Sequence, residues 1–419
     1  MLSTILLAFI ALRIAQQVIE SALAYLNVKY VSNPANQKEA KEVLAISGES
    51  IDKSLAYAKD RYSFGQFSAW IQLAYTLLFL ALGGLGYVER FALEAIPGDH
   101  PLLHGLAVFA ILGVLSFVTE LPFGYYHTFV IEERHGFNRQ TKKGFWLDQV
   151  KNVGLAVVLG GILLTVLLSI MNRMGSSWWW IAWLAVFGFS LMTAWLYPTL
   201  LAPLFNKFSP LDEGDLKAEI FLLAQKIEFQ AEGISIMDAS TRSSHGNAYF
   251  TGVFGKKRIV LFDTLVKSMS LQEVVAVLAH ELGHFKLHHV RWGLIRGFFT
   301  TGLMFYALSL CLSLESFYQS FGLAGISNYG ALIVFSMWFG LVGFLIQPFS
   351  SLISRRHEFQ ADAFALQNIA EGKTLGDALL KLRETSHSMP ISHPWYSAFY
   401  HSHPPLLERL KAMNYIGGR

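Results

Sequence analysis

Apolar residues run through this chain in blocks long enough to cross a bilayer, separated by polar segments of unequal charge. Seven stretches approach or exceed the roughly 20 residues that a spanning helix needs. They cover about 2–25, 67–85, 102–125, 153–171, 178–198, 294–314 and 331–352. The first is interrupted by Arg13, Gln16, Gln17 and Glu20, so one face of that helix turns away from lipid. The third contains Glu120 and Pro122. The pattern predicts an all-α multi-span membrane protein with seven transmembrane helices.

The segments between these stretches differ in basic residues. Lys29, Lys38, Lys41, Lys53, Lys59 and Arg61 follow the first, and Arg134, Arg139, Lys142, Lys143 and Lys151 follow the third. The intervening loops hold almost none: Arg90, Arg173, and neither Lys nor Arg between Leu314 and Tyr329. The positive-inside rule then puts the first, third and fifth loops and the C-terminal tail in the cytoplasm and the N-terminus outside. Seven spans reconcile an outside start with an inside end. The expected division is 1–205 for spans one to five, 206–290 for a first catalytic part, 291–352 for spans six and seven, and 353–419 for a second catalytic part. The two polar parts fall on one side and together suffice for a small domain.

Composition sharpens this picture. The 419 residues are 53% hydrophobic and only 15% charged, against about 25% charged in soluble proteins. A net charge of +3, dispersed along the chain, excludes a nucleic-acid binder. The single cysteine, Cys311, excludes an internal disulfide. The first apolar run lacks a basic leader and a small-residue cleavage site, so it reads as a retained span.

Within the first polar part, Asp212–Gln230 reads as an amphipathic helix with Leu216, Ile220, Leu223 and Ile227 on its apolar face. Gly233–Met237 reads as a strand. Asn247–Phe254 and Arg258–Phe262 read as a hairpin through Gly255, Lys256 and Lys257. Ser270 and Glu273 have capping-box spacing, opening a helix expected to run to about His289 with Val274, Val275, Leu278 and Leu282 buried.

That helix carries Ala279-His280-Glu281-Leu282-Gly283-His284. Residues four apart share a helical face, so His280 and His284 can aim two imidazoles at one metal. Zinc suits them, and a catalytic zinc keeps one position open for water. Glu281 would then take the proton from that water. The third ligand expected at such a site is a carboxylate from another element. Glu358 and Asp362, four apart at the start of the tail, share a face. Glu358 is the expected ligand, and Asp362 would accept the outward N–H of a ligating histidine. An ordinary solvated helix face is the alternative for that pair. His357 lies about 100° round the helix from Glu358 and makes a poor ligand. His288, four after His284, and His289 are left outside the site, as residues of a helix end at the membrane.

These motifs, in this order and in a seven-span chain, resemble the integral-membrane CAAX prenyl endopeptidases, a zincin-type family. Glu133-Arg134-His135-Gly136-Phe137-Asn138, Pro203-Leu204-Phe205-Asn206-Lys207-Phe208, Asn247-Ala248-Tyr249-Phe250-Thr251-Gly252 and Ser402-His403-Pro404-Pro405 resemble further family segments. The first hundred residues match only in having two spans around a basic loop.

The resemblance implies a split, mainly helical zincin-like catalytic domain containing a small β-sheet, with one zinc ion held by His280, His284 and Glu358. It implies Glu281 as general base, with Asn247 and His403 as oxyanion donors. The strand Asn247, Ala248, Tyr249, Phe250 and Thr251 would pair with an extended substrate. Arg409 matches an arginine near the family's site, where it fits a salt bridge to Asp362 as well as it fits substrate contact. The family's helices enclose a hydrated chamber, with which Arg13, Gln16, Gln17, Glu20 and Glu120 are compatible.

The expected activity is hydrolysis of peptide bonds near the C-terminus of prenylated CAAX-type proteins or peptides, by an enzyme embedded in the lipid bilayer. Two alternatives stand beside it. One is a quality-control endopeptidase with broad, non-prenylated substrates, and the other is a transporter or structural protein with incidental zinc. The short tail carries no dibasic retrieval signal, which points to a bacterial inner membrane. Residues 370–400, rich in His, Ser, Trp and Tyr, read only as a loop over the site.

Overall fold

The computed structural model describes residues 3–251 and 257–415. Seven of its described helices are long and apolar enough to cross a membrane. The first is α1 (Thr4–Ser32), started by the Ser3 side chain accepting from the Leu6 amide. A short α2 (Pro34–Leu44) leads to the second, α3 (Gly48–Ala81). After α4 (Gly84–Ala95) comes the third, α5 (Pro101–Tyr126), prolonged by a π-helical segment His127–Glu132. The fourth joins α6 (Lys142–Leu155) and α7 (Gly161–Arg173) through a π-helical segment, and α8 (Trp178–Leu196) is the core of the fifth.

The polar part then holds α9 (Asp215–Lys226), α10 (Asp263–Ser268) and α11 (Leu271–Lys286). The last two spans are α12 (His289–Cys311) and, after α13 (Glu315–Gln319), α14 (Asn328–Asn368). The chain closes with α15 (Lys373–Ser386), α16 (Pro394–Tyr400) and α17 (Leu406–Ala412).

Most of these helices overrun the apolar stretches that announce them. Hydropathy registers only the part that meets lipid, whereas backbone hydrogen bonding carries a helix on through polar residues such as Glu49 to Arg61. The seventh span continues unbroken into the tail, so Glu358 and Asp362 ride on the same 41-residue helix that crosses the membrane.

Among the described residues, four strands form one sheet in the order β1 (Phe208–Pro210), β2 (Ala231–Met237), β4 (Lys257–Phe262), β3 (Ala248–Thr251). The antiparallel β3–β4 pairing follows the hairpin pattern, with Ala248 opposite Leu261 and Thr251 opposite Arg258. The expected turn residues Gly255 and Lys256, and Phe254, lie outside the described residues. The parallel β2–β4 pairing and the short β1 had no periodic signal of their own. β3 is an edge of the sheet, with one side unpaired by any described strand.

Two main apolar cores occupy opposite ends of the helix bundle. One joins α9, the sheet, α11, α15 and α17 to Val31, Ala40, Leu44, Ile46 and Ile51, so the first loop packs into the core around the sheet and α11. The Lys411–Glu39 ion pair and the hydrogen bond from Ser392 Oγ to Asn27 Oδ1 (2.9 Å) tie the same elements. The other core gathers the start of α1, α4, α13 and the start of α14.

The third loop also joins the end that carries the sheet. Arg139 N–H donates to Arg242 O (3.1 Å), Asn138 and Ser243 form a β-bridge, and Arg242 makes a two-pronged bond to Asp148 (2.9 and 3.1 Å). Both basic loops thus sit at the end that carries the HExxH helix.

Candidate metal centre

The capping box at Ser270 and Glu273 is present, with both reciprocal bonds formed. Val274, Leu278 and Leu282 are buried, and Val275 packs against the same core. Gly283 allows a close crossing: a Cβ there would stand 3.2 Å from Ala361 Cα and 3.1 Å from the Phe364 ring. That crossing sets α11 against α14 where the two halves of the site meet.

Across it, one ligand atom each from His280, His284 and Glu358 lies within 4.8 Å of the others. His280 Nε2 and His284 Nε2 are 3.3 Å apart. Glu358 Oε2 is 3.4 Å from His280 Nε2, and Oε1 is 3.2 Å from His284 Nε2. Glu358 is 4% exposed, yet its Oε2 has no hydrogen-bond partner among the described residues. A buried carboxylate whose two oxygens each face one imidazole nitrogen, with Oε2 lacking a hydrogen bond and approached besides by Arg409 Nη1 at 3.5 Å, fits a bound cation. Two borderline nitrogens and one hard oxygen suit zinc.

Asp362 is 2% exposed and accepts from both His280 and Arg409. Its Oδ1 is 2.9 Å from His280 Nδ1, and Arg409 Nε and Nη2 reach its two oxygens at 2.9 and 2.6 Å. Arg409 is itself buried, so of its two sequence readings the salt bridge is the one present. Burial is the largest single influence on His280 and opposes its charge, but the neighbouring Asp362 and Glu358 carboxylates prevail and push its pKa up to about 9. Burial also pushes the Glu281 carboxyl above its ordinary value, against the nearby His280 and His284. Glu281 makes no hydrogen bond with any described residue, which leaves its oxygens for a water.

His403 joins the cluster from the tail. Its Nε2 is 3.4 Å from Glu358 Oε1, and Ser402 Oγ holds its Nδ1 at 2.9 Å. Asn247 caps its own strand, with Oδ1 accepting from the Ala248 amide at 2.8 Å; its side-chain NH2 is the donor left over.

His403 and Arg409 also line a cavity of about 870 Å³ that extends past Gln17, Glu20, Tyr57 and Arg61 into the membrane helices. Gln17 and Glu20 therefore face this space and not lipid, while Arg13 and Gln16 are tied to Glu20 in a chain of side-chain bonds (2.5 and 2.8 Å). The segment 370–400 is mostly helical. α15 packs on α11, and Arg383, His387 and Tyr396 form cavity wall.

One correction concerns the end of the motif helix. α11 stops at Lys286, not near His289, because His288 adopts a left-handed conformation (φ 59°) and starts α12. The break swings His289 against His284, with the two Nδ1 atoms 3.1 Å apart. His357 is no ligand; its ring stacks on His289 at 3.9 Å. Sequence reasoning missed His289 and Gln360 because a continuous helix puts His289 about 140° from His284.

Comparison with known proteins agrees with this geometry. Residues 28–207 match the family model for the CAAX prenyl protease N-terminal region, with five membrane helices, and residues 210–416 match peptidase family M48. The CAAX prenyl protease 1 homolog of Oryza sativa subsp. japonica is 38% identical over 374 residues, 88% of each chain. CAAX prenyl protease 1 of Saccharomyces cerevisiae is 34% identical over 431 residues, 96% of this chain and 94% of that one. The crystal structure of S. mikatae Ste24p matches with a TM-score of 0.90 at 34% identity, covering 98% of this chain and 99% of that one. These relatives are plant and fungal, so the expectation of a bacterial host is not borne out. With its HExxH helix, its distant glutamate and seven apolar helices in one architecture, this membrane-embedded metallopeptidase belongs to the M48 family of CAAX prenyl proteases.

Proposed function

We propose that the protein is a zinc endopeptidase that cleaves peptide bonds near the C-terminus of prenylated CAAX-type proteins or peptides. The observation that carries this is the convergence of His280, His284 and Glu358 beside an unpartnered Glu281, with His403 and Arg409 walling a cavity that runs into the membrane helices. One zinc per chain would be held by those three side chains. When bound, it supplies Lewis-acid polarisation of the scissile carbonyl and acidifies a water.

The chain's own residues do the rest. An extended substrate pairs with the open edge of β3, through the backbone of Ala248, Tyr249, Phe250 and Thr251. Glu281, kept basic enough by its burial, takes the proton of the attacking water and returns it to the leaving amine. The Asn247 NH2 and His403 Nε2 donate to the oxyanion. Asp362 holds His280 with its hydrogen on Nδ1, and Arg409 neutralises Asp362.

The catalytic parts, 206–290 and 353–419, face the cytoplasm in this reading, with spans 1–205 and 291–352 in the bilayer and the N-terminus outside. The two basic loops at the catalytic end support that orientation.

The test is zinc quantification alongside cleavage of matched farnesylated and unfarnesylated CAAX peptides by wild type and Glu281→Ala. One zinc per chain, preference for the lipidated peptide and a loss of about 10²–10⁴-fold in Glu281→Ala with zinc retained are expected. Near-wild-type turnover in that variant would overturn the role of Glu281. Indifference to the prenyl group would instead assign the protein broader, quality-control substrates.

A further inference from the structure

The two histidines of the metal centre are supported at their outer nitrogens in different ways. His280 Nδ1 meets the Asp362–Arg409 pair. His284 Nδ1 meets no carboxylate among the described residues; it is 3.1 Å from His289 Nδ1, and His289 Nε2 is 3.0 Å from Gln360 Oε1. An amide oxygen only accepts, so the hydrogen of His289 is on Nε2. A neutral imidazole carries one N–H, which leaves His289 Nδ1 as the acceptor for His284 Nδ1–H. The lone pair of His284 is then on Nε2, the atom that faces His280 and Glu358. The opposite polarity would put a hydrogen on that atom, where the ligand atoms converge.

We infer that His289 is a positioning residue: it relays Gln360 to His284, locking the ligand's tautomer and ring orientation. The inference rests on the metal reading of the site. Three features fix His289 for this task. The left-handed His288 turns it back toward His284. It is 8% exposed. The His357 ring lies parallel to it at 6° and 3.9 Å, closing the face about which it would otherwise rotate.

α14 thereby orients both histidines, His280 through Asp362 and His284 through Gln360 and His289, on the helix that also delivers Glu358. Each support is neutral as a unit, one as an Arg–Asp pair and the other as imidazole and amide. Neither adds net negative charge that would weaken the Lewis acidity of a bound cation.

The experiment measures zinc affinity by chelator competition on the purified full-length protein, with the thermal midpoint of the metal-free form as a folding control. His289→Leu removes the acceptor and is expected to weaken zinc binding about 10–100-fold. His289→Asn keeps an acceptor oxygen close to the place of Nδ1 and is expected to stay within roughly a few-fold of wild type. Wild-type affinity in His289→Leu, or equal losses in the Leu and Asn variants, would overturn the relay.

Should His289→Leu fail to fold, Gln360→Leu releases only the far end. A several-fold loss of affinity supports the relay, and an unchanged affinity overturns it. Absence of zinc binding in wild type would sink the metal reading and this inference with it. Wild-type binding with the variants unchanged would sink this inference alone.

Discussion

Two buried glutamates, one at each end of the helix bundle, show how differently this protein treats the same side chain. Glu89 on α4 is 2% exposed and has both oxygens satisfied, by the Ala324 amide at 2.7 Å and the Tyr329 hydroxyl at 2.8 Å. It fastens α4 to the start of α14 and is complete without anything else. Glu358, further along α14, is 4% exposed and keeps one oxygen without a hydrogen bond, near His280 Nε2 and Arg409 Nη1, while its other oxygen faces His284. Burying a polar group without a partner costs about 1–3 kcal/mol or more. The first glutamate therefore reads as architecture and the second as a ligand able to hold a cation.

Exchanging each glutamate should give crossed outcomes. Glu358→Gln is expected to reduce peptide cleavage to background and zinc affinity by more than about 100-fold, with the metal-free thermal midpoint unchanged or raised. A variant that still cleaves at a rate near wild type would remove Glu358 from the site.

The pH dependence of metal uptake sharpens the same contrast. The raised pKa of His280 stabilises the metal-free protein below the ordinary histidine range, and that contribution is lost as pH rises through about 9. Zinc must displace this proton, so its affinity should fall about tenfold for each pH unit below that point, as chelator competition would record. A flat profile would contradict a protonated His280.

Arg409→Met strips the counter-charge from buried Asp362 and should cost about 3–5 kcal/mol in denaturant unfolding, with weakened zinc binding. No loss of stability would mean that Asp362 is neutral there. The smallest effect is reserved for Glu89→Leu, which leaves the Tyr329 hydroxyl unpaired. It should lower stability by about 1–3 kcal/mol and leave zinc affinity untouched. Loss of zinc in that variant would erase the distinction between the two ends.

Much of this was legible along the chain wherever a local rule applied. The seven spans follow from apolar length, the start of α11 from its capping box, and the shared faces of His280 with His284 and of Glu358 with Asp362 from helical spacing. Family motifs pointed to Asn247, His403 and Arg409, and of Arg409's two readings the salt bridge is the one observed. His289 was passed over for the opposite reason. Its position depends on a left-handed residue at His288, and helical periodicity presumes that no such break occurs. Residues 370–400 had no readable pattern because their partners, Ser50, Ser54 and Asn27, lie more than 300 residues away in sequence.

The sequence by itself determined the membrane class, the helices, the HExxH chemistry and the names of the three ligand candidates. These are properties of length, period and residue type, which act over a turn or two of helix. Tertiary structure decided that α14 crosses α11 at Gly283 closely enough to bring Glu358 to the histidines. It also decided that both imidazoles are oriented from that one helix, that the first and third loops pack into the end that carries the sheet, and that a cavity reaches the site. Such contacts arise from packing between distant segments, and no local pattern encodes the distance at which two helices come to rest.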